Sequence, residues 1–519
     1  MLFNSYRFIF VFLPLALAGY EVASRFSRRA VVLWLGFISL AFYGWWQPAL
    51  LVILAGSIAL NYTAAGLISW QIPNRVPART WLWIAIGLNL IVLGYFKYFI
   101  PTLNFFSWSF GLSKHWENIV LPLGVSFFTF TQIAYLIDLS RNGAERKDLP
   151  SYVLFVTFFP HLIAGPILHH REMMPQFDRK PRGLNSSDVA VGGTWFVLGL
   201  AKKVLLADTL ADTAIPVFQA HGRLNASYAW IGVLAYTLQL YFDFSGYSDM
   251  ALGLARMFSI DFPLNFNSPY KSASIIESCQ RWHITLGRYI FSYIYNPLTR
   301  LVRDRRIRQG KGMTRLDRSN VRTFLSVVVM PMMFTMLLAG IWHGAGMQFI
   351  VFGLIYGVYL SVNNAWRQFL RRQPFFQAGV AWLPAWFRHG FSVLFTFLCV
   401  VFAMVFFRAD NLSQASSILA AMIGLHARSA DIFWLAGPSP RHSIFAVIVG
   451  LVIVWALPNT QQILSRYKPS LQKTAWDEAR VPKALRWMPS TGWAVAVGVI
   501  FFFVLVELEQ SSTFLYFQF

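Results

Sequence analysis

Two histidines of this sequence each follow a tryptophan and lie in or beside different apolar runs. The sequence QRWHITL contains His283, and LAGIWHGA contains His343. An imidazole with an unperturbed pKa of about 6.5 is largely neutral near pH 7 and can accept a proton from a hydroxyl. Glycines around His343 would let the helix break and let a substrate approach the backbone. These glycines are Gly340, Gly344 and Gly346. The pattern predicts general-base chemistry.

Each histidine also has a structural interpretation. His343 could pack between membrane helices and form a hydrogen bond across the bundle. His283 lies in an amphipathic stretch with Arg281, Arg288 and Tyr289, which predicts a partly buried or re-entrant helix. The residues alone leave both interpretations open, with the structural one the more common for such histidines, and the repeated Trp-His pair strengthens the catalytic one.

The remaining candidates for metal or covalent chemistry are weaker. His161 lies near a proline-rich turn, and His169 and His170 are adjacent. Adjacent residues on a helix point about 100° apart and make a poor chelate, so we expect no metal. Two cysteines, Cys279 and Cys399, do not form a disulfide framework. The motifs of zinc proteases, phosphate-binding loops, dinucleotide folds and serine hydrolases are absent.

The elements that must position these histidines are predicted to be membrane helices. Of the 519 residues, 56% are hydrophobic and only 13% are charged. A helix crosses the hydrocarbon core with roughly 20 mostly apolar residues. Candidate runs lie near 6–22, 31–47, 49–69, 81–99, 119–138, 150–168, 189–207, 227–256, 323–343, 346–366, 390–408, 442–457 and 491–508. These runs predict an all-α polytopic membrane protein whose first helix is retained.

The charge pattern fits cytoplasmic loops. The net charge is +22, and much of it falls between apolar runs. One loop contains nine basic residues: Arg300, Arg303, Arg305, Arg306, Arg308, Lys311, Arg315, Arg318 and Arg322. The loop is predicted to be a cytoplasmic topology determinant. Alternatively, it is a basic rim that attracts an anionic nucleotide donor such as a coenzyme A thioester. No nucleic-acid motif accompanies the charge, so we expect no nucleic-acid partner.

Polar residues concentrate in the middle of the chain. Residues 119–366 are rich in Pro, Gly, His, Asn and Asp although they contain many apolar segments. Polar groups at membrane depth normally face a protein interior or an aqueous cavity. We therefore expect one integral membrane domain over 1–519, with a catalytic core at 119–366 and further transmembrane helices at 367–519.

Several motifs in this order resemble a known family. They are MLFNS at the N-terminus, LPLGVSF at 121–127, FPHLIAGPI at 159–167, YFDFSGYSDM at 241–250, FPLNFNSPY at 262–270, and the two Trp-His pairs. The chain resembles the membrane-bound O-acyltransferases (MBOAT), in particular the bacterial branch that contains the membrane subunit of alginate O-acetylation. The resemblance covers roughly residues 1–366.

The resemblance implies a fold and a role for the histidines. The fold would be a ring of membrane helices around a thin centre, with a tunnel in which a cytoplasmic donor meets an acceptor from the other face. His343 matches the family's catalytic histidine, and His283 matches the second active-site histidine. We expect substrate contacts from Trp282, Trp342, Gln239, Asp249 and Asn267.

The function expected from this comparison is O-acyl transfer, with acetyl as the expected acyl group. The donor would be acetyl-CoA or another acyl-CoA, with no cofactor. The acceptor would be a hydroxyl of an extracytoplasmic glycan, or a periplasmic or extracytoplasmic acetyltransferase partner that acylates it. The expected location is the bacterial inner membrane, in contact with its lipid. The alternative is a transporter or scaffold subunit of an envelope-glycan complex without its own chemistry.

Overall fold

Helices, joined by turns and short irregular segments, form the part of the chain that the structure describes. The computed structural model describes residues 2–46, 48–70, 75–109, 116, 121–142, 146–220, 224–311, 320–370, 383–425, 439–468, 470–472, 481–510 and 512–515. Within these ranges no residue forms a strand. Helices satisfy their own backbone N–H and C=O groups, which lipid cannot do. The predicted all-α class is confirmed.

Eight helices in the described ranges are long and apolar enough to cross a membrane. They are Phe8–Phe26, Leu50–Trp70, Ala78–Asn104, Ser186–Gln219, Val321–His343, Met347–Leu370, Ala385–Arg408 and Thr491–Gln510. Each overlaps one of the apolar runs recognised in the sequence. The chain is therefore a multi-pass membrane protein.

The other five predicted runs form helices that are shorter or more polar. They are Arg28–Trp46, Val125–Asn142, Leu149–Thr157, Ala226–Met257 and Pro440–Ala456. Ala226–Met257 is the longest of these, with 32 residues, and it contains Asp243, Asp249 and Arg256. Its polar side chains belong to the middle region that the sequence distinguished from the ends.

Short helices complete the described structure. They are Phe159–Leu162, His170–Phe177, Ile275–Arg281, Ile284–Ile290, Asn296–Arg308, Leu412–Met422 and Thr460–Ile463, with 3-10 turns at Pro269–Lys271, Ser465–Tyr467 and Lys483–Leu485. The basic loop begins as the helix Asn296–Arg308, on which Arg300, Arg303 and Arg305 are exposed. Its Arg315 and Arg318 lie outside the described residues.

The chain divides into two compact units. The first comprises Met1–Leu205, Phe244–Leu264 and Thr460–Gln518. The second comprises Leu206–Asp243 and Asn265–Asn459. Both tryptophan–histidine pairs belong to the second unit.

Within the second unit, two spanning helices approach each other through glycines. A Cβ added at Gly340 would lie 2.3 Å from the carbonyl oxygen of Phe349, and one at Gly353 would lie 2.4 Å from that of Met336. Real Cβ atoms do not occupy such positions, so only glycine permits this packing. The contact holds Val321–His343 against Met347–Leu370, three residues before the helix ends at His343.

Candidate active site

His343 is the last residue of a spanning helix. The chain leaves the helix at Gly344, whose φ of −174° and ψ of 167° are extended, and the next helix begins at Met347. The His343 side chain is half-buried rather than sealed. Its ring centroid lies 4.7 Å from that of Trp342 and 5.0 Å from that of Phe407. An imidazole at a helix end with partial exposure can exchange a proton with a bound group.

The glycines around His343 also make room for neighbouring side chains. The helix does break at Gly344, but a Cβ there would lie 2.2 Å from the Phe349 ring. A Cβ at Gly346 would meet the side chain of Gln348 at 2.2 Å. Both glycines are half-buried, and the approach of a substrate to the backbone here stays a prediction.

His283 occupies a strained break between two short helices. Ile275–Arg281 ends immediately before it, and Ile284–Ile290 begins immediately after it. Its backbone is left-handed, with φ 41° and ψ 55°. This conformation costs a non-glycine residue about 1 kcal/mol or more and persists only where surrounding contacts hold it. Three other non-glycine residues in the described ranges, Ser259, Ser268 and Lys468, share a positive φ, so a functional role for His283 stays a prediction.

Asn265 fixes the orientation of the His283 ring. Its Oδ1 lies 2.9 Å from the Nδ1 of His283 and also accepts hydrogen bonds from the Oγ1 and the backbone N–H of Thr285. A backbone N–H can only donate, so the contacting amide atom is the oxygen, and the His283 Nδ1 must carry the hydrogen. Nε2 is then the ring atom with the lone pair.

His283 is neutral in this setting. The residue is 3% exposed, and burial lowers the pKa of His283 to about 3. It lies outside the eight spanning helices. The ring is therefore a hydrogen-bond acceptor at Nε2 over the whole physiological pH range.

An aromatic cluster surrounds Trp282. Its ring centroid lies 5.1 Å from Phe266, 6.1 Å from Tyr270 and 6.3 Å from Tyr241. The Tyr270 hydroxyl donates a 2.6 Å hydrogen bond to the carbonyl oxygen of Thr237, which ties the cluster to the helix Ala226–Met257. The half-buried Trp282 is thus held at one edge of a rigid apolar wall.

A second group of aromatic rings lies beside His343. Phe352 contacts His343 at 5.9 Å and Tyr356 at 4.9 Å between ring centroids. Phe352 also lies 4.9 Å from Phe407, the other ring that contacts His343. These aromatic rings therefore hold one side of the His343 imidazole within the second unit.

The other predicted substrate residues lie in different places. Trp342 is buried, and Gln239 is buried on the helix Ala226–Met257. Asn267 is half-buried, and its Oδ1 accepts a 3.1 Å hydrogen bond from Asn459. All three belong to the second unit, as do both histidines. Their contacts with substrate stay a prediction.

Asp249 belongs to the first unit and has a partner there. Its Oδ2 lies 2.5 Å from the Nζ of Lys202 and accepts a 2.7 Å hydrogen bond from Thr460. These contacts are sufficient to explain a buried carboxylate without a substrate.

Sequence reasoning did not single out Asn265 or Tyr270. Both lie in the FPLNFNSPY motif, where only Asn267 was selected. In the segment 265–267, Asn265 accepts from Ile284 N–H through its backbone oxygen, and Asn267 donates its N–H to the oxygen of Arg281. These two hydrogen bonds hold the motif beside the break between the two short helices, next to His283. The grouping of Asn265 and Tyr270 with two prolines in this motif could have indicated that they belong to the site.

Two of the weaker candidates, His161 and His170, have local partners. The Nε2 of His161 is 3.0 Å from the carbonyl oxygen of Phe155, and the Nδ1 of His170 is 3.6 Å from a carboxylate oxygen of Asp138. In the residues that the structure describes, no three His, Cys, Asp or Glu side chains gather as a metal site requires.

Comparison with known proteins places the chain among acyltransferases. The family model for the membrane-bound O-acyltransferases (MBOAT) matches residues 103–311. The chain is 35% identical to a peptidoglycan O-acetyltransferase of Helicobacter pylori, across 100% of this chain and 98% of that protein. It is 37% identical to a probable alginate O-acetylase of Pseudomonas putida, across 81% and 80%. A teichoic acid D-alanyltransferase of Streptococcus thermophilus matches at 26% identity, across 48% and 58%.

Proposed function

Because the chain belongs to the membrane-bound O-acyltransferase family, we propose that it transfers an acetyl group from acyl-CoA to a glycan hydroxyl. The donor enters from the cytoplasm, and the acceptor is an extracytoplasmic cell-envelope glycan or a partner that acylates it. The relatives support this proposal, since their names describe enzymes that modify polymers of the cell envelope. The enzyme would lie in the bacterial inner membrane.

The observation that carries the proposal is the setting of His343. It ends a spanning helix, is half-buried, and lies beside the rings of Phe352 and Phe407. A histidine that only packed helices together would be enclosed within the bundle. Partial exposure at a helix break is what a proton acceptor for an alcohol requires.

The proposed reaction balances as a single acyl transfer. The acceptor oxygen attacks the thioester carbonyl carbon, and His343 takes the hydroxyl proton. The carbon–sulfur bond breaks as the new ester bond forms. The leaving thiolate recovers the proton from His343. The base is regenerated, and no oxidant or metal is consumed.

His283 is assigned to the acceptor rather than to the thioester. Its Nδ1 hydrogen is engaged by Asn265, and its low pKa keeps Nε2 unprotonated. An atom with a lone pair and no hydrogen cannot polarise a carbonyl, but it can accept a hydrogen bond from an alcohol. His283 would therefore orient the acceptor hydroxyl.

The first test is the variant His343→Gln in purified protein supplied with acetyl-CoA and a soluble glycan acceptor. We expect acetyl transfer to fall about a hundredfold or more, the usual contribution of a general base. The control is His389→Gln, an exposed histidine of the same unit, which should keep full activity. A correctly folded His343→Gln protein that transfers acetyl at the normal rate would exclude this mechanism.

The second test separates the two histidines. Asparagine tolerates a left-handed backbone, so His283→Asn should fold while losing the ring acceptor. We expect KM for the acceptor to rise and KM for acetyl-CoA to stay unchanged. An effect on the donor KM alone would show that His283 acts on the thioester.

A further inference from the structure

A cavity of about 360 Å³ lies within the first unit, apart from both tryptophan–histidine pairs. Sites for small ligands occupy roughly 300–1,000 Å³, so the cavity is large enough for a lipid headgroup. Its floor is apolar and includes Val32, Leu35 and Phe258. Its rim is mainly basic.

The cavity lies where helices end. Arg28 and Val31 come from the start of Arg28–Trp46, directly after the spanning helix Phe8–Phe26. Ser187 comes from the first turn of Ser186–Gln219, and Phe258 follows the end of Ala226–Met257. Ends of spanning helices lie at the boundary between hydrocarbon and water. The cavity therefore opens at the level of lipid headgroups.

The charges around the cavity favour an anion. Five basic side chains line it, against the two carboxylates Asp188 and Asp261. Arg256 engages both carboxylates, at 2.7 Å and 2.6 Å. The exposed cations Arg179 and Arg182 have no ion pair within the described part of the chain. They are available for an anionic ligand.

The segment that carries these cations is already held in place. Gln176 donates to the carbonyl oxygen of Asp261 and accepts from its N–H, both at 2.9 Å. At the other end, Glu21 accepts a 2.8 Å hydrogen bond from the N–H of Leu184. A pre-formed basic rim binds a ligand without the entropy cost of ordering a loop.

From these observations we infer that the cavity binds the phosphate of an anionic phospholipid, with the start of the acyl chains on the apolar floor. Arginine matches the oxygens of a phosphate ester in a bidentate geometry. The basic surplus places this face on the cytoplasmic side, where anionic lipids attract basic pockets between helices. A soluble phosphate ester carries the same phosphate group but has no acyl chain that could pack on the apolar floor.

The test is native mass spectrometry of the full chain in detergent, with phosphatidylglycerol, phosphatidylcholine or glycerol 3-phosphate added. We expect phosphatidylglycerol to remain bound and the other two to be lost. The double variant Arg179→Gln/Arg182→Gln should weaken phosphatidylglycerol binding by about thirtyfold, given the usual attraction per basic residue.

Two further variants keep the result interpretable. Arg29→Gln/Arg171→Gln removes the same charge from exposed residues that do not line the cavity, and it should bind phosphatidylglycerol normally. Val31→Phe fills the cavity and leaves every charge in place, so it should also lose the lipid. Melting temperatures in phosphatidylcholine should be equal for all variants.

Four outcomes would overturn the inference. Equal loss in the control double variant, or normal binding by Val31→Phe, would mean diffuse surface attraction. If phosphatidylcholine bound as tightly as phosphatidylglycerol, the net negative charge of the lipid would have no role in binding. Equal affinity for glycerol 3-phosphate would assign the cavity to a soluble phosphate ester.

Discussion

At the scale of single residues, Asn265 determines what His283 can do. Its amide oxygen keeps the ring hydrogen on Nδ1 and leaves Nε2 as an acceptor. The sequence identified both histidines because each follows a tryptophan. It could not identify Asn265, because the hydrogen bond exists only where the segment 265–267 pairs with the left-handed turn at His283.

Replacing Asn265 with aspartate should change the pH dependence of acetyl transfer. A carboxylate beside the ring stabilises the imidazolium and raises the pKa of His283 from about 3. Nε2 then becomes protonated and stops accepting as the pH falls through the new, higher value. In Asn265→Asp, kcat/KM should therefore fall more steeply than in the wild type on the acid side of the His343 titration, because His283, with its pKa raised by about one unit or more, is then protonated as well.

The control for this prediction is Thr285→Ser, which keeps the hydroxyl that donates to Asn265. Its pH–rate profile should match that of the wild type. If the Asn265→Asp profile also superimposes on the wild type, His283 does not titrate in the reaction.

At the scale of elements, the crossing of two spanning helices positions His343. Gly340 and Gly353 allow Val321–His343 to lie directly against Met347–Leu370. The sequence predicted both helices and the break after His343 from apolar length and glycine. It could not assign each glycine, because the same residue type can serve a helix break or a close packing contact.

Gly340→Ala should disturb both stability and activity. The added methyl group would lie 2.3 Å from the Phe349 carbonyl oxygen, and overpacking of this kind costs about 1–3 kcal/mol. We expect a lower melting temperature and reduced transfer, because His343 is three residues away. Gly498→Ala, which enters open space in another spanning helix, should leave both quantities unchanged. An unaffected Gly340→Ala protein would show that the helices can separate without consequence.

At the scale of the whole molecule, one buried carboxylate joins distant parts of the sequence. The first unit is assembled from three segments, and Lys202, Asp249 and Thr460 come from one segment each. Two lysines within the apolar run 189–207 were a sign that a carboxylate partner was needed. Asp249 was selected for its polarity, but its partner is 47 residues away and could not be inferred from spacing.

Asp249→Asn should destabilise the protein because it removes the counter-charge of the Lys202 ammonium, whose side chain is only 17% exposed. Breaking such a pair costs about 3–5 kcal/mol, and Lys202→Met/Asp249→Leu should recover much of it. Thermal unfolding in detergent measures both effects. If Asp249→Asn instead melts normally and only raises KM, the carboxylate serves the substrate.

The three-segment construction of the first unit also sets the order in which the protein can be made. The ribosome adds Lys202 to the chain 47 residues before Asp249. Thr460 follows only after both long segments of the second unit have been synthesised. The early helices therefore lie in the bilayer for a time while the Lys202 ammonium still lacks Asp249 and Thr460. Completion of the first unit is a late event of biogenesis, although most of its residues are the first to be translated.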